Sequence, residues 1–158
     1  MVQRFAEIAD LEKNECTIEE MEEYEPHIEL GHVVYAGADY GKILERAEKE
    51  ADVILWDGGN NDNPFVKPDL FITLLDPLRP GHELRYFPSR FNLENADVLL
   101  ITKTDQASDE GIATVEESAA SHNPSALVLK GESPFTIADP SLVRGKRVLV
   151  IEDGPTTT

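Results

Sequence analysis

Apolar residues fall along this chain in short dense blocks, and the spacing inside each block assigns its element. Val53-Ile54-Leu55-Trp56, Leu70-Phe71-Ile72-Thr73-Leu74-Leu75 and Val98-Leu99-Leu100-Ile101 are unbroken apolar stretches. Such runs are expected of strands covered on both faces, and therefore of a parallel sheet. His32-Val33-Val34-Tyr35-Ala36, Ala126-Leu127-Val128-Leu129 and Val148-Leu149-Val150-Ile151 read as further strands. Tyr40, Ile43, Leu44 and Ala47 recur at helical spacing behind Asp39 as cap, predicting a helix that ends near Ala51. A second helix is predicted from about Ser108 to Ser121. Thr17-Ile18-Glu19-Glu20 has the form of a capping box, in which two side chains satisfy free amides at a helix start. It predicts a short helix from Ile18 to about Tyr24, ended before Pro26.

Strand and helix in alternation with short links predict a doubly wound, mostly parallel α/β sheet, whose ligands sit beyond the carboxyl ends of the strands. The 158 residues suit one such domain, because a chain of this length closes a single core. Residues 1–31 form an acidic, polar N-terminal segment of it.

Charge narrows the partners. With 31 acidic against 14 basic residues the formal charge is −17, which opposes nucleic-acid phosphates, since their binding needs clustered Lys and Arg. The same acidity suits concentrated salt, where screening over roughly 3 Å at 1 M removes most self-repulsion. The five glutamates at 19, 20, 22, 23 and 25 form a solvated acidic face without the Asp/Gly spacing of a calcium loop. No run approaches the roughly 20 apolar residues that span a bilayer, and the N-terminus lacks a basic region followed by an apolar one. The lone Cys16 has no internal disulfide partner. A cytoplasmic protein without membrane partners is the expectation.

Candidate chemistry follows the predicted strands. Asp57 opens Asp57-Gly58-Gly59-Asn60-Asn61-Asp62, where a carboxylate can hold magnesium and the glycines let backbone amides approach a terminal phosphate. A tight turn explains the same residues equally simply, because Asp-Gly is a common turn signal. Thr102-Lys103-Thr104-Asp105 follows the run ending at Ile101. In guanine-discriminating hydrolases an element of this form places Asp105 on the ring nitrogen and exocyclic amine, Lys103 over the base plane and Thr102 against neighbouring loops. The alternative is a surface ion pair of Lys103 with Asp105, worth about 0–1 kcal/mol. Arg79, His82 and Arg85 gather in one Pro-containing loop, 76–86, and the planar guanidinium fork matches phosphate oxygens. Pairing of those arginines with acidic neighbours is the competing account. His27, His32 and His122 are scattered without zinc-ligand spacing.

Two absences matter. Gly-x-x-x-x-Gly-Lys-Ser/Thr occurs nowhere, and Gly37-Ala38-Asp39-Tyr40-Gly41-Lys42-Ile43 is one residue short with no hydroxyl after the lysine. There is also no Gly-x-Ser-x-Gly elbow, nor a Cys/His pair suited to nucleophilic catalysis.

Residues 51–62, the loop 76–86, Thr102 to Asp105 and Ile151-Glu152-Asp153-Gly154-Pro155-Thr156 together resemble the archaeal and bacterial cyclic 2,3-diphosphoglycerate synthetase family and its GTPase-like relatives. The resemblance runs over nearly the whole chain and implies a phosphate-loop nucleoside triphosphate hydrolase-like fold, here a central slice without the phosphate loop. It implies a ligase that uses magnesium with ATP or GTP to close two phosphates of a small phosphorylated substrate into an anhydride. By the same resemblance Asp57 is the catalytic, magnesium-organising carboxylate, and Gly58, Gly59 and Asn60 approach the terminal phosphate. Thr102, Lys103 and Asp105 border the base, and Arg79, His82 and Arg85 meet substrate phosphate. A missing N-terminal segment or a second copy of the chain is the expected complement. The competing expectation is a non-catalytic nucleotide-binding or assembly fragment.

Overall fold

The computed structural model describes residues 2–58 and 63–149. They divide into two compact units, the first made of residues up to 58 with Pro64–Lys67, the second of residues 68–149 together with Asn63.

The first unit is built around a two-stranded antiparallel sheet. β1 (Val2–Phe5) pairs with β2 (Val34–Gly37), with Val2 opposite Gly37 and Phe5 opposite Val34. Two helices link them, α1 (Ile8–Lys13) and α2 (Ile18–Glu29), and α3 (Tyr40–Ala47) follows. Phe5, Leu11 and Ile28 are buried together, with Met21, Tyr24, Val34 and Ala36 packed around them. The capping box forms as the sequence indicates: Thr17 Oγ1 accepts from the Glu20 amide, and a Glu20 carboxylate oxygen accepts from the Thr17 amide. Pro26, expected to end α2, lies inside it. Burial of Ile28 two residues further on offsets the backbone hydrogen bond that a helical proline forgoes. Asp39 caps α3 through the Lys42 amide, and α3 closes at Ala47, with turn hydrogen bonds carrying the chain to Ala51.

Glu50 braces this unit's two strands from the turn after α3. Its carboxylate accepts from Arg4 Nε and Nη2, both at 2.8 Å, and from the Tyr35 hydroxyl. Those bonds, the arginine's first, hold the Glu50 carboxyl at about 2, below its ordinary 4.5. A depressed carboxyl stabilises the fold fully above its unfolded value and ceases to do so as pH falls through the folded one. Glu50→Gln is therefore expected to flatten acid unfolding between about pH 4.5 and 2, measured by circular dichroism; parallel acid limbs in the two proteins would remove Glu50 from this role.

The second unit is a three-stranded parallel sheet. β3 (Ile72–Leu75), β4 (Val98–Ile101) and β5 (Leu127–Lys130) lie in the order β3-β4-β5, in register Ile72–Val98–Leu127 and Leu74–Leu100–Leu129. α4 (His82–Arg85) and α5 (Phe87–Asn95) connect the first two strands, and α6 (Asp109–His122) connects the last two. Because the order advances in one direction and such crossovers are right-handed, both connections fall on the same face. There Leu93 and Ala96 meet Val115 and Ala119 over Leu75, Leu99 and Ile101. Asn123, buried at the end of α6, donates from Nδ2 to the Leu93 and Ala96 carbonyls at 2.9 and 2.8 Å.

The opposite face departs from the sequence expectation. Ile72, Leu74, Leu127 and Leu129 are 51%, 48%, 57% and 45% exposed. The apolar runs at 70–75 and 98–101 do mark parallel strands, but only one face of β3 and β4 is buried among the described residues, and all four residues of β5 are exposed. Val53-Ile54-Leu55-Trp56, expected as a strand, is irregular, with Val53 and Leu55 76% and 81% exposed. Neither sheet includes it, and a strand without a neighbour has no partner for its backbone groups. Val148 and Leu149 are likewise irregular, and the rest of that expected strand lies outside the described residues. The architecture is thus mixed α/β with a parallel sheet consistent with a doubly wound arrangement. Among the described residues, no helix is long and apolar enough to cross a membrane.

Candidate functional site

The carboxyl ends of the three parallel strands lie in one row, and each continues into a polar loop. Asp76 follows β3, Thr102 to Asp105 follow β4, and Gly131 to Ser133 follow β5. Hydrogen bonds tie the middle loop to both flanks. Thr102 donates its amide to the Leu75 carbonyl at 3.0 Å, and Lys103 Nζ meets Asp76 Oδ2 at 3.0 Å. On the other side the Thr104 amide reaches the Gly131 carbonyl at 3.1 Å, and Asp105 Oδ1 accepts from the Ser133 amide at 2.9 Å. Gln106 Nε2 adds a bond to the Ser133 carbonyl at 2.6 Å.

This geometry decides one question the sequence left open. The partner of Lys103 is Asp76, one strand away, and not Asp105. Lys103 also has φ of 54°, a left-handed conformation that costs a non-glycine residue about 1–3 kcal/mol and persists only where its surroundings hold it.

Asp76 also shapes the loop beyond β3. Its Oδ1 accepts from the Leu78 amide at 3.0 Å, and its carbonyl accepts from the Arg79 amide. The chain then turns through Gly81, at φ of 91°, into α4. A cavity of about 210 Å³ opens here, bordered by Asp76, Arg79, His82, Glu83 and Tyr86. The His82 and Tyr86 rings meet edge to face at 5.7 Å. Glu83 is 8% exposed; its Oε2 accepts from the Gly81 amide at 2.8 Å, while its Oε1 has no hydrogen-bond partner among the described residues.

Arg79 and His82 therefore share a cavity, whereas Arg85 is exposed on α4 and does not border it. Thr102, Lys103 and Asp105 stand together at the strand ends. Asp57 and Gly58 are exposed on irregular chain in the other compact unit. Directly before Asp57, Trp56 packs with Tyr40 and Phe65, ring centroids 5.0 and 5.6 Å away. Gly59 and Asn60 lie outside the described residues. Among the described residues no three His, Cys, Asp or Glu side chains gather as a metal cluster. Sequence reasoning missed Asp76, Glu83 and Ser133 as site residues. Asp76 carries a strand-end signal equal to that of Asp57, but Glu83 sits in a helix of four residues, too short for periodicity to show which side is buried.

No family model matches the chain, and no solved structure does. Among curated proteins it is similar to the arginine synthetase ArcE of Thermococcus kodakarensis, 60% identical over all 158 residues but covering 35% of that protein. It is also similar to the cyclic 2,3-diphosphoglycerate synthetase of Thermococcus sibiricus, 27% identical over 116 residues, which are 72% of this chain and 26% of that protein. The chain thus spans about a third or less of the relatives it matches. The similarity links it to these synthetases at superfamily level.

Proposed function

We propose that the chain is one part of a nucleotide-dependent synthetase and supplies the base-side border of its nucleotide site. The row of strand ends carries this reading: Lys103 and Asp105 are fixed from both flanks, by Asp76 and by the Ser133 amide, so their geometry is set before a ligand arrives. Preorganised groups of this kind bind without a further ordering cost. Asp105 then accepts from the base, Lys103 covers its plane, and Thr102 anchors the loop. By the family resemblance we propose separately that Asp57 is a magnesium ligand and that Gly58, Gly59 and Asn60 are phosphate-binding residues. Magnesium is commonly held by one or two carboxylates plus substrate phosphates, so an exposed single carboxylate such as Asp57 suits it, and the ion supplies charge neutralisation at the phosphates.

For the product, identity over the whole chain to an arginine synthetase favours a guanidino product over a cyclic diphosphoglycerate. The chemistry balances as two transfers. A ureido oxygen takes the terminal phosphoryl group and the nucleoside diphosphate leaves; ammonia then adds at the activated carbon and phosphate departs with that oxygen. A non-catalytic nucleotide-binding part is the second reading, favoured by the lack of a phosphate loop within these 158 residues.

Calorimetry with ATP, GTP and their diphosphates in magnesium tests the proposal. The expected result is binding that Asp105→Ala weakens about tenfold, the scale of one charged hydrogen bond. Absence of binding at millimolar nucleotide would overturn both readings, and binding without phosphate release in the presence of ammonia and a ureido amino acid would select the second.

A further inference from the structure

Three aromatic rings meet at the surface of the first unit. Between ring centroids Tyr40 lies 5.0 Å from Trp56 and 4.7 Å from Phe65, and Trp56 and Phe65 are 5.6 Å apart. All three separations fall in the range that aromatic pairs favour, roughly 4.5–7 Å, and Tyr40 and Phe65 are stacked, with 19° between their planes. Each ring's residue remains at least 40% exposed, and none belongs to the cluster around Phe5, Leu11 and Ile28, so formation of that core is not what gathers them.

The three residues differ in how the chain around them is held. Tyr40 opens α3, whose start is capped by Asp39 and whose end runs into Glu50, bonded to Arg4 of β1 and Tyr35 of β2. Its position is therefore fixed from both ends of the helix. Trp56 and Phe65 stand on chain without that support: the described residues from Asp52 to Leu70 belong to no helix or strand, and they make no hydrogen bond or ion pair among the described residues. The ring contacts tie this stretch to α3, one ring directly before Asp57 and the other directly after Pro64. Consecutive Cα atoms are only about 3.8 Å apart, so a held Trp56 restricts where Asp57 can go. Ordering completed before a ligand arrives lowers the cost of binding it.

We propose that Tyr40, Trp56 and Phe65 are positioning residues, a clasp of rings that presents the Asp57 carboxylate to magnesium carried by a nucleotide. The proposal rests on the magnesium reading of Asp57 and deepens it by naming what holds that carboxylate in place. Asp57 is exposed and makes no hydrogen bond or ion pair of its own among the described residues, so its position depends on the chain that carries it. The clasp acts through ring contact: the Tyr40 hydroxyl has no hydrogen-bond partner among the described residues, and phenylalanine at position 40 serves as well as tyrosine.

Trp56 is the chain's one tryptophan, so its fluorescence reports on the clasp directly. The test combines acrylamide quenching of that emission with calorimetry of ATP and GTP, each titrated in magnesium and again in EDTA, so that the ratio of the two affinities isolates the metal's contribution. Tyr40→Ala and Phe65→Ala are expected to make Trp56 more easily quenched and to cut the magnesium-dependent gain in affinity about tenfold, less than the roughly hundredfold that a 1 Å misplacement can cost. Affinity in EDTA stays at the parent value, and Tyr40→Phe keeps both readouts near the parent. Unaltered quenching in the two alanine variants, a loss of equal size in EDTA, or a full magnesium gain in them while Asp57→Asn loses it would overturn the clasp and leave the magnesium reading standing. Should Tyr40→Ala fail to fold, Phe65→Ala, at a well exposed position, decides alone. No magnesium gain in the parent chain, or a full gain in Asp57→Asn, sinks the magnesium reading and the clasp's role with it.

Discussion

Gly111→Ala is expected to destabilise the second unit by about 2 kcal/mol, although alanine is the better helix former by about 1 kcal/mol. A Cβ at position 111 would stand 2.5 Å from the Pro77 carbonyl oxygen, far inside ordinary contact. The obstacle is backbone, and it is not free to retreat. Pro77 lies between Asp76, which is tied to Lys103 and to the Leu78 amide, and Arg79, whose amide bonds the Asp76 carbonyl. Moving α6 instead would pull Val115 out of the core over Leu99 and Ile101. At about 2–4 °C per kcal/mol for a chain of this size, thermal denaturation should show a loss of several degrees. The same displacement should disturb Arg79 and hence the adjoining cavity. A melting temperature at or above that of the parent chain would show that the loop yields freely, and the rigidity assumed for the strand-end row would go with it.

That contact explains why some of the site was readable and some was not. Thr102-Lys103-Thr104-Asp105 could be placed because a buried strand ends at Ile101 and its continuation must emerge at the carboxyl end of the sheet. The helix expected from about Ser108 to Ser121 is α6, Asp109–His122, and the structure adds that Ser108 caps it. Lys103 choosing Asp76 depends on β3 and β4 being neighbours in parallel register, which no local pattern states. β1 and α1 were lost inside a segment read as merely acidic and polar, since a four-residue strand carrying Gln3 and Arg4 has little apolar signature. Pro26 misled for the opposite reason: a strong local breaker was overruled by burial of Ile28. Glu83 was hidden among basic residues that attracted attention to phosphate, and its burial in the short α4 has no local sequence signal.

The apolar runs raise a related point about what a pattern specifies. Continuous rather than alternating hydrophobicity states that a strand has two dry faces, but not what dries them. In β3 and β4 one face is dried by α5 and α6, and the other presents half-exposed Ile72 and Leu74.

Asn123→Ala is expected to have the larger effect on stability, about 3 kcal/mol. Asn123 is 5% exposed, and one amide group serves two carbonyls, Leu93 and Ala96, where α5 ends and the chain enters β4. Helix ends leave carbonyls without intrahelical partners, and here water cannot replace the donor, because Leu93 and Ala96 belong to the core. Each acceptor stranded in this way costs about 1–3 kcal/mol, and alanine additionally leaves a small void. Asn123 Oδ1 also accepts from the Ser125 hydroxyl at 3.0 Å, so the turn leading into β5 loosens as well. Asn123→Asp separates the contributions: it keeps size and the Ser125 bond but replaces the donor with an acceptor facing two carbonyls, and should be at least as damaging as alanine. Chemical denaturation of the three proteins measures the series. If aspartate were tolerated better than alanine, the loss would come from the void and not from the stranded carbonyls, and the clamp between α5 and α6 would have to be sought in packing alone.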